Sequence, residues 1–232
     1  MNRNWLAVAA ALATAASAAR VEAQARSSIS IIPIAGYMMP MGKWTDSDTI
    51  RLEPGGGIFV GVTAEYSVNK TFSVTAQAIR TLGLTQKMTF AAPEFGVGVP
   101  AALETDMTTT QLLGTLLFRP LGRLPNGAPK TVYFEVGGGF TLYDVSQGFT
   151  NPLGASDVLD FNSSTAVVTG GAGLSFPIGP RASLQVFGRA NYGLSAYSSP
   201  GLDKWNGYPP PSNVQGEKPL VLLLGAGLRI GR

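Results

Sequence analysis

Apolar side chains alternate with small or polar ones through most of this chain, and the alternation is clearest over residues 131–143. Val132, Phe134 and Val136 fall in one phase, whereas Tyr133 and Glu135 fall in the other. A period of two is that of an extended strand whose two faces meet different surroundings. The second face is rich in hydroxyl groups and glycine. A closed sheet of such strands, apolar outside and polar inside, is typical of a barrel whose outer wall faces lipid.

The composition supports a chain whose surface is not mainly in water. Only 13% of the 232 residues are charged, whereas soluble proteins average about 25%. Glycine contributes 29 residues, well above the average of about 7%. Beyond the N-terminal segment no apolar run reaches the ~18 residues of a spanning helix, but a spanning strand needs only about 9–11 residues. The sequence therefore predicts one domain that crosses the membrane with strands.

The N-terminus has the order of features found in export signals. Arg3 is followed by a short apolar stretch over residues 5–19, and then by Ala-Gln-Ala at residues 23–25. A positive residue, an apolar core and a small-x-small site are typical of a cleavable signal peptide. We therefore predict a signal peptide over residues 1–25 and a single barrel domain over residues 26–232.

Alternating segments and the connections between them predict the topology. There are eight segments, at residues 28–39, 57–67, 71–84, 108–119, 131–143, 165–176, 182–196 and 220–230. Three connections are short or turn-rich, at 68–70, 121–130 and 177–181, and four are long, at 40–56, 85–107, 144–164 and 197–219. This asymmetry is typical of bacterial outer-membrane barrels. The predicted fold class is all-β: an eight-stranded antiparallel up-and-down transmembrane barrel with short periplasmic turns and long extracellular loops.

Aromatic residues in the apolar phase gather near the strand ends. Five flank the short turns (Tyr66, Phe72, Phe118, Phe134 and Phe176), and three lie nearer the long loops (Tyr37, Phe140 and Tyr192). Amphipathic aromatic rings prefer the two boundaries between lipid and water. We predict that these eight residues form an aromatic girdle.

These features resemble the small outer-membrane barrels of the OmpA, OmpX and OmpW type, and the resemblance covers about residues 28–232. The final strand carries Gly225, Leu228 and Ile230 at the spacing of that family's terminal strand, although the last residue is Arg232 rather than an aromatic. We expect no peptidoglycan-binding domain after this strand. The resemblance implies a bacterial outer-membrane location and contacts with outer-membrane lipid and lipopolysaccharide. It also implies handling by periplasmic chaperones and the barrel-insertion machinery.

Five charged residues share the inward phase: Glu65, Arg119, Glu135, Arg189 and Arg229. An isolated charge inside a narrow barrel is costly, so these side chains should pair. Glu135 with Arg189 is the preferred pair. We interpret the set as a structural network that fills the lumen and fixes strand register, with a gate or proton path as the alternative.

The residue types that most enzymes depend on are absent. The chain has no histidine and no cysteine, which removes the commonest general base, the thiolate nucleophile and the commonest transition-metal ligands. We predict a non-enzymatic protein with no catalytic residues, no cofactor and no metal. The formal charge is only +3, and without a run of lysine or arginine nucleic acid is not an expected partner.

Three functions remain open at this point. The preferred one is a structural or surface-contact role through the long loops, where Phe90, Phe95, Trp205 and Tyr208 are candidate contacts for an extracellular ligand. The alternative is a narrow channel for small hydrophobic compounds, because several inward positions are apolar, Ile32 among them. The third is a soluble, lipocalin-like carrier whose apolar face points inward.

Overall fold

The described part of the chain forms an all-β structure of eleven strands. The computed structural model describes residues 29–46, 50–69, 71–90, 102–121, 132–150, 156–179, 182–196 and 217–230. The strands are β1 (Ile29–Met41), β2 (Thr45–Asp46), β3 (Ile50–Pro54), β4 (Gly57–Ser67), β5 (Phe72–Leu82), β6 (Leu84–Phe90), β7 (Ala102–Phe118), β8 (Val132–Thr150), β9 (Ser156–Gly179), β10 (Ala182–Gly193) and β11 (Leu220–Ile230). Within these ranges no helix is long and apolar enough to span a membrane.

Eight of the strands close into an antiparallel barrel. The order of neighbouring strands around the barrel is β1, β4, β5, β7, β8, β9, β10 and β11. The barrel closes because β11 pairs with β1. Closure pairs every barrel strand on both sides, so the barrel wall has no exposed edge. The predicted eight-stranded up-and-down architecture is therefore confirmed. The turn between β4 and β5 is short, as predicted, and Asn69 Oδ1 accepts hydrogen bonds from the backbone N–H groups of Thr71 and Phe72 at 2.8 Å each.

The register gives the stagger of the barrel. Following hydrogen-bonded partners once around the wall from Phe72 leads to Leu82, ten residues further along the same strand. The path runs through Phe118, Phe134, Ala172, Gly188, Leu224, Tyr37 and Ile58. A shift of this kind tilts the strands relative to the barrel axis. Ten residues over eight strands means that each row of partners climbs 1.25 residues per strand.

Burial alternates along the strands and gives the orientation of each face. Phe134 and Val136 are 48% and 62% exposed, whereas Glu135 between them is 5% exposed. The same alternation holds along β5, where Ser73 and Thr75 are buried and Val74 is exposed. The apolar face points outward and the polar face lines the lumen. The predicted orientation is therefore confirmed.

The predicted long loops are in part wrong, because three of them contain strands. β2, β3 and β6 lie in predicted loops, and β7, β8 and β9 extend well beyond their predicted ends. β6 pairs with β7 and with β3, and β3 pairs with β2. We call these three strands and the outer ends of β7, β8 and β9 the extension. The barrel end that carries it is the long-strand end, and the other is the short-turn end. Residues 197–216 of the fourth predicted loop lie outside the described residues.

A change of phase occurs where β5 gives way to the extension. Outward residues of β5 are even-numbered up to Leu82, yet Leu84 at the start of β6 is buried. Gly83 separates them with φ of 68°, a left-handed conformation that glycine adopts at little cost. The glycine thereby turns the continuing chain so that an apolar residue points inward at the long-strand end.

Inward glycines make room for aromatic rings in the lumen. A Cβ atom added at Gly36 would overlap the carbonyl oxygen of Leu224 and lie 2.7 Å from Cζ of Phe59. A Cβ atom at Gly225 would lie 2.6 Å from Cζ of Phe187 and 2.7 Å from Cζ of Phe59. Close packing of this kind leaves no room for larger side chains. Part of the high glycine content is therefore explained by the crowded interior.

We expect Gly36→Ala to lower the free energy of unfolding by about 1–3 kcal/mol, because overpacking next to backbone atoms forces the strands to shift. Gly114→Ala is the matched control, since this glycine faces outward and the nearest atoms to an added Cβ lie 4.0 Å away. Urea unfolding of both variants in lipid vesicles measures the difference. Equal stabilities would show that the inner wall is not tightly packed at Gly36.

Candidate functional site: a filled lumen behind a lipid-facing wall

The outer wall carries aromatic side chains at both ends of the barrel strands. All eight residues predicted for the girdle are exposed on the outer face: Tyr37, Tyr66, Phe72, Phe118, Phe134, Phe140, Phe176 and Tyr192. Phe72, Phe118 and Phe134 are direct partners in one row near the short-turn end, and the rings of the first two are 5.4 Å apart. Between the two groups the described outward residues are mostly Val, Leu, Ile, Ala and Gly.

Inside the barrel, a first layer of charges lies near the short-turn end. Arg119 donates from Nη2 to Glu65 Oε1 at 2.9 Å and from Nη1 to Ser73 Oγ at 2.8 Å. Nη2 of Arg229 lies 3.9 Å from the same oxygen of Glu65 and 3.2 Å from Oγ of Ser30. Glu65 and Arg119 are fully buried. One carboxylate therefore faces two guanidinium groups, which is how buried charges are tolerated.

A second layer crosses the middle of the lumen. Arg189 on β10 forms a bidentate pair with Glu135 on β8, with Nε 2.7 Å from Oε1 and Nη2 3.0 Å from Oε2. Its Nη1 donates to Oε1 of Gln77 at 2.6 Å. Since β5 and β10 are four strands apart in the eight-stranded ring, this bond spans the full width of the barrel. Gly171 lies on the strand between the pair, and a Cβ there would be 3.0 Å from Glu135 Oε1.

Further hydrogen bonds extend this packing above and beside the central pair. Asn191 donates from Nδ2 to Oε1 of Gln111 at 2.8 Å, which joins β10 to β7. The hydroxyl groups of Thr75 and Thr115 lie 2.6 Å apart on adjacent strands. These side chains are all buried. The polar residues of the lumen therefore bond to one another across the interior.

The long-strand end of the lumen contains a cluster of buried apolar side chains. Trp44, in the segment after β1, is 1% exposed and packs edge to face on Tyr143, with ring centroids 5.3 Å apart. Two backbone bonds hold the segment: Trp44 N–H donates to the carbonyl of Leu52 at 3.0 Å, and Glu217 N–H donates to the carbonyl of Trp44 at 2.7 Å. Other buried members of this apolar cluster are Met38, Leu84, Met107 and Val145. We call the cluster the Trp44 plug.

Buried ion pairs inside and exposed apolar side chains outside are the reverse of a soluble carrier barrel. Aromatic residues also border the apolar wall at both ends, as expected at the two lipid–water boundaries. The chain therefore folds as a small eight-stranded β-barrel with the apolar outer wall of a barrel that spans a membrane. In such a barrel the apolar wall holds the fold in the bilayer, and the lumen and the extension are the parts available for function.

Several solved structures of outer-membrane barrels are similar to this one. Neisserial surface protein A is 14% identical, with 88% of this chain and 97% of that chain covered and a TM-score of 0.47. OprG from Pseudomonas aeruginosa is 13% identical, with coverage of 90% and 99% and a TM-score of 0.45. The outer membrane protease OmpT from Escherichia coli is 10% identical, with coverage of 89% and 96% and a TM-score of 0.43. No family model and no curated protein matches the chain.

The structure places all five charges predicted from the sequence inside the lumen, but in two separate groups. Glu65 lies with Arg119 and Arg229, and the preferred partners Glu135 and Arg189 are bonded to each other. The structure does not describe the candidate loop contacts: Phe95, Trp205 and Tyr208 lie outside the described residues, and Phe90 ends β6 without a described side chain. Residues 1–25, predicted to be a signal peptide, lie outside them as well. Within the described ranges, no group of three acidic side chains could hold a metal ion.

Three residues that contribute to the interior or the wall were missed by the sequence reasoning. Gln77 was assigned to the inward face, but nothing in the sequence shows that it reaches across the barrel. Trp44 lies in a predicted loop, and a lone tryptophan there gives no sign of its burial. Arg80 has a clear signal, because it continues the outward phase of Val74 and Ala78 and is charged.

Proposed function

We propose that this outer-membrane barrel is closed to solutes and serves as a membrane anchor that presents its extension for surface contact. The observation that supports this most directly is the central layer of the lumen. Arg189 bonds at once to Glu135 and to Gln77 on the opposite strand, so its guanidinium group lies across the passage. An eight-stranded barrel has an interior only about wide enough for side chains, which leaves little space beside this layer.

The two ends of the lumen add further barriers of different chemistry. At the short-turn end, a passing ion would have to displace Arg119 or Arg229 from Glu65, and separating a buried pair leaves an uncompensated charge. At the long-strand end, the Trp44 plug is apolar and would strip water from a polar solute. A polar solute therefore meets an unfavourable environment at both ends, which supports a closed barrel.

The extension supplies the surface for the proposed contact. β8 and β9 remain paired from Val145 with Phe161 as far as Thr150 with Ser156, and β3 and β6 continue the sheet on the other side. A spanning strand needs about 9–11 residues, whereas β8 has 19. The additional length stands outside the bilayer. With no histidine or cysteine in the chain, we propose that this surface binds rather than catalyses.

A second function is favoured by one specific observation, a set of large apolar side chains in the upper half of the inner wall. Phe59, Ile79 and Leu223 are buried there, next to polar residues such as Thr81 and Thr109. Such a lining would suit a small hydrophobic compound that enters past the Trp44 plug and leaves through the wall. This candidate requires Trp44 to move, whereas the closed anchor requires no change.

Conductance measurements separate the two functions. We expect the barrel reconstituted in planar bilayers to show no current steps, because the charged layers block ions, and vesicles that contain it to show no swelling in sugar solutions. A shift in gel mobility on boiling confirms that the inserted protein is folded. Stable single-channel current steps would contradict the closed anchor. Uptake of a hydrophobic dye into the vesicles would also contradict it, if the rate of uptake changes in Trp44→Ala.

A shortened variant tests where the closure lies. Replacing residues 146–160 with Asn-Gly, a strong hairpin turn, removes the outer part of the β8–β9 hairpin and leaves the lumen intact. We expect this variant to fold, to insert and to stay silent in the bilayer. Current steps in the shortened barrel alone would show that the extension, and not the lumen, closes the passage.

A further inference from the structure

The sheet divides at the base of the extension and leaves a gap between two strands. β7 and β8 are partners as far as Met107 with Val145. Beyond that pair, residues 102–106 of β7 continue as partners of β6, and residues 146–150 of β8 continue as partners of β9. Within the described ranges, neither stretch has a partner on the side where the two strands part. We call the gap between residues 102–106 and residues 146–150 the fork.

The two sides of the fork present backbone groups that can pair with another strand. An unpaired strand edge carries N–H and C=O groups that are a ready template for a further strand. In an antiparallel strand the two groups of every second residue point to the same side, so each side of the fork offers those of two or three residues. β2, at the far edge of the sheet, has only two residues in all. A strand that enters the fork pairs on both sides, which doubles its backbone hydrogen bonds.

The charged side chains beside the fork are acidic. Glu104 and Asp106 on β7 are exposed, and so is Asp144 on β8 at the base of the fork. Lys87 on β6 is a register partner of Glu104 but also of Glu53 on its other side, so one lysine faces two carboxylates. The outer face at the fork therefore has an excess of negative charge, which attracts a basic partner.

The inner face at the base of the fork is apolar. Met107 and Val145 are each 1% exposed and belong to the Trp44 plug. Successive side chains of a strand point to opposite faces. A strand that fits the fork therefore has basic side chains in its outer phase and apolar side chains in its inner phase.

We propose that the fork binds an extended segment of a partner protein in which lysine or arginine alternates with apolar residues. This proposal rests on the surface-contact role proposed above and gives the chemistry of the partner. In strand addition, backbone hydrogen bonds supply affinity and the alternate side chains supply specificity.

The segment lies antiparallel to β7, because antiparallel pairing is the more stable arrangement and the carboxylates of the fork edge are on β7. Residues two apart on a strand are separated by about 6.6–6.8 Å, in the bound segment as in β7. Two successive basic residues of the segment therefore lie opposite Glu104 and Asp106.

A labelled seven-residue peptide of alternating lysine and valine tests the fork by fluorescence anisotropy, with the full-length barrel in neutral detergent. We expect it to bind, and a peptide of the same composition with its four lysines consecutive to bind at least tenfold more weakly. Two further peptides carry N-methyl groups on the valines or on the lysines, which removes the backbone donors of one edge and keeps the charge. Each should bind about tenfold more weakly, because both edges of the peptide are hydrogen-bonded in the fork.

Protein variants locate the bound peptide. Glu104→Gln should weaken binding about threefold, the effect of one cross-strand charge pair, and adding Asp106→Asn should bring the loss to about tenfold. Glu53→Gln is the matched control, because it removes the same charge beside the same Lys87, two strands away from the fork edge. It should leave the affinity unchanged. The gel shift on boiling first confirms that each variant is folded.

Hydrogen exchange gives a direct reading of the backbone. Bound peptide should slow amide exchange within residues 102–106 and within residues 146–150, because newly paired N–H groups exchange only when the pairing opens. The variant with Asn-Gly in place of residues 146–160 lacks one side of the fork and should bind the peptide more weakly than the full chain.

The proposal is overturned if the alternating peptide does not bind, or if the consecutive-lysine or N-methylated peptides bind equally well. Equal weakening by Glu53→Gln, or slowed exchange outside the fork alone, overturns it too. These outcomes are separate from the closure of the lumen. A barrel that is silent in the bilayer and binds no peptide contradicts the fork alone, whereas current steps contradict the closed anchor whether or not the peptide binds.

Discussion

Glu135→Ala should lower the free energy of unfolding of the barrel by about 3–5 kcal/mol, the cost of breaking a buried ion pair from one side. Both oxygens of Glu135 accept hydrogen bonds from Arg189, at 2.7 and 3.0 Å. The two side chains are only 2% and 4% exposed. Removing the carboxylate leaves the guanidinium group charged in the middle of the lumen, with Gln77 as its described neutral partner. Urea unfolding in lipid vesicles, followed by tryptophan fluorescence, measures the loss.

Two controls separate this loss from a general effect of removing an acidic residue. Glu104→Ala changes an exposed carboxylate on the extension and should shift stability by no more than about 0.5 kcal/mol. The double variant Glu135→Leu with Arg189→Met removes both charges, and we expect it to be more stable than Glu135→Ala alone because no unpaired charge remains. The single variants Glu135→Leu and Arg189→Met complete the comparison. If the loss of stability in the double variant equals the sum of their separate losses, the two side chains do not interact in the folded barrel.

The alternation of the sequence predicts the barrel because a bilayer imposes it. Every outward position that meets acyl chains must be apolar, so residues such as Val132 and Val136 reveal both the strand and its outer face. Inward charges in a narrow lumen must pair, which made Glu135 and Arg189 predictable as partners. These parts of the fold follow from local composition and a period of two, without knowledge of the register.

The extension could not be predicted in the same way. Beyond the membrane the outer face of β8 and β9 is no longer in contact with acyl chains, so residues 146–150 and 156–160 need no apolar phase, although backbone hydrogen bonds continue. The alternation ends where the bilayer ends, while the strands do not. Burial of Trp44 depends on a backbone bond to Glu217, 173 residues away, and the bond from Arg189 to Gln77 depends on closure of the ring. Such long-range contacts leave no local pattern.

Val136→Arg tests the assignment of the outer wall to lipid, and we expect it to cost about 2–4 kcal/mol, as for arginine near the bilayer midplane. Val136 is 62% exposed and lies on β8 between Phe134 and Phe140 of the two aromatic groups. An arginine there must leave its guanidinium group among acyl chains or stretch toward a distant head group. The free energy of unfolding in vesicles gives the cost.

Ile178→Arg is the matched control, because Ile178 is 61% exposed and lies beyond Phe176 at the short-turn end of β9. The side chains of Val136 and Ile178 are therefore almost equally exposed on the protein itself. They differ in their depth in the bilayer. At the boundary, arginine costs only about 0–1 kcal/mol. If water surrounded the wall, both variants would have similar, small effects. A small, equal cost at the two positions would therefore contradict a membrane-spanning barrel, whereas a large cost at Val136 alone requires acyl chains around the middle of the wall.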